Sequence, residues 1–413
     1  MNLPIVLTSN NLRIYLVREK SLNSVVLHLR GLAGSSYESS ANVGASHFTE
    51  HLVLQGTKNY DNSYRLNSLI IKQGGRIIAT TSRDDVLFGV HVLKDYVYDA
   101  VTFLSEIFYN ATFNPKDFEL VQKNIKAEIF RHMDSPEKAV LRKSYKVLFP
   151  KGRMGLLNTG AVGDLEKLTL EKVKSFYRQF YVNNRFILYV YGNFDPNNLA
   201  LNIGEKFRSQ KNTPHPDRPA PKINKQFAVQ VQKTSGIKQS YTKIDFECEP
   251  ISSSNRVLAE LSAKILYAMT KKQLLGLSYK NSVDHASMRD FGVFSFYTVS
   301  SDDKVVKIVK AIKQTILETP AHLPQNVVEI CKKALIADIV FTLEKPSMYA
   351  QYYSELLLHS ESFTTHEDYI EKIKTVSAVD LVDYLNLLSK KNPKITAISD
   401  SVTPDQIKKA WLS

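Results

Sequence analysis

Two histidines and a glutamate fall together in the segment GASHFTEHLVLQGT, as His47, Glu50 and His51. The spacing H-x-x-E-H has a chemical consequence if the segment is helical. Residues four apart then lie one turn apart on one face, so both imidazoles can reach a single ion. Glu50, three residues beyond His47, projects beside it and can lean over the same ion. Such a pair, with a third ligand from elsewhere and an open fourth position, makes a hydrolytic zinc centre. The metal would lower the pKa of a water in that position to about 7 and polarise a scissile carbonyl. An unligated carboxylate would take the water's proton and return it to the leaving amine, and Glu50 is the expected base.

Glu128 offers the third ligand. It follows His51 after 76 intervening residues, in QKNIKAEIFRHMDSPEK, a stretch with helical patterning on which a carboxylate could point into the same cleft. His132, one turn further on, competes for that role. The plain alternative is a solvated helix face for the histidines and a surface position for Glu128, since a motif of this length recurs by chance. The expected centre is His47, His51 and Glu128 around one Zn2+ per chain.

The elements that must hold these residues can be read from periodicity. Short strands are expected at 12–17, 25–30, 76–81, 86–93 and 186–191. Helices are expected at 45–55, 62–73, 96–109, 115–133 and 170–181. A polar stretch with four prolines, SQKNTPHPDRPAPKINK at 209–225, reads as a linker. It divides the chain into an N-terminal zinc-binding domain at 1–208 and a C-terminal domain at 226–413.

The two parts repeat one another at an offset of 210 residues, where NIKAEIFRHMDSP from Asn124 faces ALIADIVFTLEKP from Ala334. Upstream, RDDVLFGVHV from Arg83 and RDFGVFSFYTV from Arg289 both alternate like half-buried strands, and each precedes a helical stretch. The expected fold class is α+β: two similar domains related by internal duplication, each a mainly antiparallel sheet with helices packed on one face. The second domain has no H-x-x-E-H and is expected to be non-catalytic.

Composition bounds the rest. At 413 residues, with 43% hydrophobic and 23% charged residues, the chain is an ordinary globular protein of two or three domains. No apolar run is long enough to span a bilayer, and the first residues lack signal-peptide patterning, so a cytoplasmic protein without a membrane span is expected. Cys248 and Cys331 have no second Cys or His at close ligand spacing and read as two reduced, half-buried thiols. The net charge of +13 is spread along the chain without a basic block, zinc finger or RNA-binding signature, so no nucleic-acid partner is expected.

HFTEH at 47–51 followed by Glu128 resembles the inverted-motif zinc peptidases of the pitrilysin, insulinase and mitochondrial-processing-peptidase family, short single-subunit type. The resemblance extends through ASHFTEHLVLQGTKNYD, GGRIIATTSRDD, FNPKDFE, DSPEK and YVNNRFILYVYGNFDP. It implies zinc on His47, His51 and Glu128, Glu50 activating water, and substrate adding as an extra strand to the edge strand after Gly74-Gly75. Ala79 matches the usual small residue there, whereas Ile78 stands in place of an asparagine. In KKQLLGLSY the resemblance implies that Tyr279 donates to the oxyanion and that Lys272, in place of an arginine, contacts substrate. Val121 replaces a glutamate that supports the metal site in many members. A homodimer, or a heterodimer with a sister subunit, enclosing peptides or unfolded polypeptides in a chamber is implied. The competing expectation is a weak or inactive partner subunit of a processing peptidase.

Overall fold

The computed structural model describes residues 4–210, 218, 220–360 and 363–413. Much of the expected linker, 211–217 and 219, therefore lies outside the described residues. The chain divides into two compact units, and the division is not a single cut. The first unit holds Met1–Phe130, Leu157–Pro219 and Phe341–Phe363, and the second holds Arg131–Leu156, Ala220–Val340 and Thr364–Ser413. These compact units differ from the contiguous halves expected at 1–208 and 226–413 by two exchanged segments, each carrying one helix.

The first unit is built on six strands: β1 (Ile5–Ser9), β2 (Leu12–Arg18), β3 (Ser24–Gly31), β4 (Arg76–Thr81), β5 (Val86–Leu93) and β6 (Phe186–Gly192). Their order is β1-β2-β6-β3-β5-β4, with β2 and β6 parallel and every other pair antiparallel. β4 is therefore an edge. Val25, Leu27 and Leu29 of β3 enter one core with Phe48, Leu52, Leu104, Phe108 and Phe176, contributed by helices Ala45–Val53, Val97–Tyr109 and Leu170–Phe180. Burying each such side chain contributes about 1.5–3 kcal/mol.

The opposite face of β3 and β6 is covered by the exchanged helix Pro346–His359. There the strand is polar. His28 Nδ1 lies 3.1 Å from Ser354 Oγ, and Arg30 pairs with Asp85 at 3.2 Å and with Glu355 at 3.2 Å. His359 reaches the same Asp85 carboxylate at 2.7 Å. Burial alone would raise the pKa of Asp85, but Arg30 and His359 outweigh it and hold the group below the usual carboxylate value.

The second unit repeats the plan with β7 (Ala228–Lys233), β8 (Ser240–Cys248), β9 (Lys280–Ser287), β10 (Gly292–Ser300) and β11 (Lys394–Ser399), in the order β7-β11-β8-β10-β9. Again one pair, β7 with β11, is parallel and the others are antiparallel. Its own helices bury Ile244, Phe246, Phe294 and Phe296 on one face. The exchanged helix Pro136–Leu148 lies over β8 and β11 on the other, where Ser144 donates to Asp245 at 2.6 Å beside the buried Lys243–Asp245 pair.

The duplication is therefore structural as well as sequential. Helices Pro115–Met133 and Gln325–Leu343 keep the offset of 210 at both ends, and Pro136 and Pro346 each open the exchanged helix. Proline suits a first helical turn, where its missing N–H would have no partner. Among the described residues no helix is long and apolar enough to cross a membrane.

Candidate metal centre

The helix Ala45–Val53 carries H-x-x-E-H, and its start is held without a side chain at the usual capping position. Gly44 adopts φ +86°, and a Cβ there would meet the carbonyl of Thr159 at 2.8 Å, so glycine is required. The Glu38 carboxylate accepts from the N–H groups of both Gly44 and Ser46 at 2.9 Å, placing negative charge at the helix N-terminus. Ser46 donates to the carbonyl of Ala33 at 2.6 Å. Phe48, fully buried, stacks on Phe118 at 4.6 Å between ring centroids. That stack joins this helix to Pro115–Met133, whose Val121, Ile125 and Ile129 face the core one turn apart and whose Glu128 is left on the adjoining side.

The result is convergence. Nε2 of His51 lies 3.3 Å from Nε2 of His47, and Glu128 Oε2 lies 3.8 Å from His47 Nε2 and 3.9 Å from His51 Nε2. The circle through these three atoms has a radius of about 2.1 Å, the length of a zinc bond to imidazole or carboxylate. The donor set and its spacing therefore fit a zinc-class cation. His132 sits in the last turn of the helix that carries Glu128 and is not a member of this cluster.

Electrostatics suit the roles. Burial lowers the His51 pKa against the opposing pull of Glu128, keeping the imidazole neutral as a ligand must be. Burial pushes Glu50 up to about 7; the hydroxyl of Thr81, donating at 2.5 Å, opposes the rise, and Glu128 adds to it. A carboxyl poised near neutrality is suited to taking and returning a proton. Thr81 ends β4, so Glu50 is fastened to the same edge strand on which Ala79 lies part-buried and Ile78 is exposed. Asn158 donates to the Thr81 carbonyl at 2.9 Å and steadies that strand end.

Family comparison decides what this centre belongs to. Residues 15–156 match Insulinase (Peptidase family M16), and residues 167–335 match the Peptidase M16 inactive domain.

The chain belongs to peptidase family M16.

An uncharacterized zinc protease of Rickettsia felis is 23% identical over 91% of this chain and 92% of its own length. The mitochondrial-processing peptidase subunit beta of Dictyostelium discoideum is 23% identical over 89% of this chain and 82% of its own. The crystal structure of a protease from Helicobacter pylori shares the fold, with a TM-score of 0.87, 18% identity and coverage of 97% of this chain and all of that one.

In this M16 chain the second unit, described by itself, holds Lys272 in the last turn of helix Arg256–Gln273 and Tyr279 at 69% exposure just before β9. Val121 is buried in the first core, leaving that helical position without a second carboxylate. Sequence reasoning did not single out Thr81, Glu38 or Phe118. Thr81 lies within a segment that carries the resemblance. Glu38 had no local signal, since it caps the helix from six residues before Gly44.

Proposed function

We propose that the protein is a zinc-dependent endopeptidase of peptides or unfolded polypeptides, with His47, His51 and Glu128 as the metal ligands and Glu50 as the general base. The triangle of ligand atoms at 3.3–3.9 Å carries this reading. Bound zinc supplies Lewis acidity, polarising the scissile carbonyl and easing loss of a proton from water. Glu50 takes that proton and delivers it to the leaving amine, and Thr81 orients the carboxylate for both transfers. A substrate strand adds along β4 through main-chain hydrogen bonds, with Ala79 leaving room for it, so extended backbone is favoured over any one side-chain sequence. The roles of Tyr279 as oxyanion donor and Lys272 as a substrate contact rest on the family resemblance. So does assembly as a homodimer or a heterodimer around an enclosed chamber.

Replacing Glu50 with Gln removes the base and keeps the ligands. The variant is expected to retain zinc through dialysis and to cleave a quenched peptide at least about 100-fold more slowly. Hydrolysis at the normal rate would exclude Glu50 as the base. A second reading, an inactive partner subunit, is favoured by Ile78, Val121 and Lys272. It predicts no zinc equivalent that is lost on His51→Ala.

A further inference from the structure

Outside the M16 centre, one other group of metal-ligating side chains converges among the described residues: Cys248, Glu249 and His285, in the second unit, with one ligand atom from each all within 4.8 Å of one another. In sequence they are unremarkable, because His285 lies on a different strand. The sheet brings them together. β8 and β9 flank β10, with Cys248 opposite Gly292 and Gly292 opposite Ser287, while Phe246, Phe294 and His285 line up one step inward. Residues two apart on a strand share a face, so Cys248 and His285 project on the same side of the sheet.

Gly292 makes the third member possible. A Cβ at that position would lie 2.1 Å from the carbonyl oxygen of Glu249, so the chain leaving β8 crosses directly over the end of β10. The crossing carries Glu249 toward β9, where Ser287 Oγ donates to its carbonyl at 3.3 Å. Ser287 Oγ also lies 3.3 Å from His285 Nε2. Cys248 Sγ is 2.7 Å from Glu249 Oε2, and the Tyr384 hydroxyl is 3.0 Å from the same sulfur and donates to the same carboxylate. Lys391 Nζ stands 4.0 Å from Glu249 Oε1 and is otherwise held by the carbonyl of Glu247.

We propose that Cys248, Glu249 and His285 form a second cation site, thiolate-containing and selective for zinc-class divalent ions, that clamps the end of edge strand β9 to β8. One thiolate and one carboxylate carry two negative charges, which a divalent ion neutralises, and a neutral imidazole completes the set. Sulfur with nitrogen excludes magnesium and calcium, which take oxygen ligands, and suits tetrahedral zinc. The ligand atoms already lie within 4.8 Å of one another, and the edge of a tetrahedron built on zinc bonds is roughly 3.3–3.8 Å, so at most a small contraction is needed. Tyr384 then orients the carboxylate, as outer hydrogen-bond partners of metal ligands do. On binding, the sulfur–metal bond replaces the sulfur–hydrogen bond and the proton leaves to water.

The test does not depend on the peptidase reading, because the first centre contains no sulfur. Full-length protein stripped with a chelator is titrated with Co2+ alone while the near-ultraviolet thiolate-to-cobalt charge-transfer band is followed. In His51→Ala, which lacks the first centre, the band should grow to saturation at one equivalent, and it should also develop in the unmodified protein within two equivalents and in Cys331→Ser. It should vanish in Cys248→Ser, a nearly isosteric change, and require at least about tenfold more Co2+ in His285→Ala. Absence of the band in the unmodified protein, or its survival in Cys248→Ser, overturns the proposal.

Discussion

Acidification should loosen the exchanged helix Pro346–His359 through one residue, His28. Its imidazole is buried on β3, opposite Gly89, where a Cβ would come within 3.1 Å of the ring. Burial first, and then the neighbouring Arg30, push its pKa down to about 3. When the helix lifts away, water reaches the ring and the pKa returns to the ordinary value near 6.5. Because the closed-state value is the lower one, the contribution of neutral His28 is complete above about pH 6.5. It is lost as pH falls toward 3. At pH 5 the linkage amounts to about 2 kcal/mol, or roughly a thirtyfold rise in the opening equilibrium. Arg30 and His91 on the strands and Asp85 just before β5, with Glu355 and His359 on the helix, also face this region, so the unmodified protein alone is not decisive. His28→Gln keeps a neutral polar side chain beside Ser354 and removes the titration. Amide hydrogen exchange in 346–359, corrected for the intrinsic pH dependence, should accelerate between pH 7 and pH 5 about thirtyfold more in the unmodified protein than in His28→Gln. Equal acceleration in the two proteins would refute the assignment.

Two further expectations follow from the same geometry. Thr81→Val deletes the hydroxyl that favours ionised Glu50, so the carboxyl should rise further and the acid limb of kcat/KM should move to higher pH; an unmoved limb would separate Thr81 from the base. Ser144→Ala removes a hydrogen bond from fully buried Asp245 and should destabilise the second unit by about 1–3 kcal/mol, read as faster exchange in helix Pro136–Leu148.

Much of the centre was legible because its signals are local. The spacing of His47, Glu50 and His51 forces one helical face, and the segment 45–53 is helical as read, ending two residues before the expected Gln55. Glu128 was recoverable because the 115–133 helix has an uninterrupted apolar stripe, Val121, Ile125 and Ile129, that leaves 128 beside it. β4 and β5 have the bounds read from alternation. β1 was missed because its side chains are mostly exposed and show no apolar alternation. The hydrogen bond from Thr81 to Glu50 was invisible for another reason, since it depends on the lateral position of a helix against a strand end.

The exchange of helices escaped the sequence reading because an amphipathic helix declares that it has a buried face and not which sheet will bury it. What distinguishes the right sheet is polar. Under Pro346–His359 lie His28, Arg30 and Asp85, which are met by Ser354, Glu355 and His359. Under Pro136–Leu148 lie Lys243 and Asp245, met by Ser144. On a strand such residues read as a solvent-facing row, yet Asp245 is fully buried and Arg30 nearly so. An apolar helix in either place would still bury hydrocarbon, but it would leave those groups with fewer partners in a water-poor interior. Breaking one buried charge pair costs about 3–5 kcal/mol. That penalty is comparable to burying two large apolar side chains, so polar matching is large enough to decide between sheets that hydrophobicity alone leaves nearly equivalent.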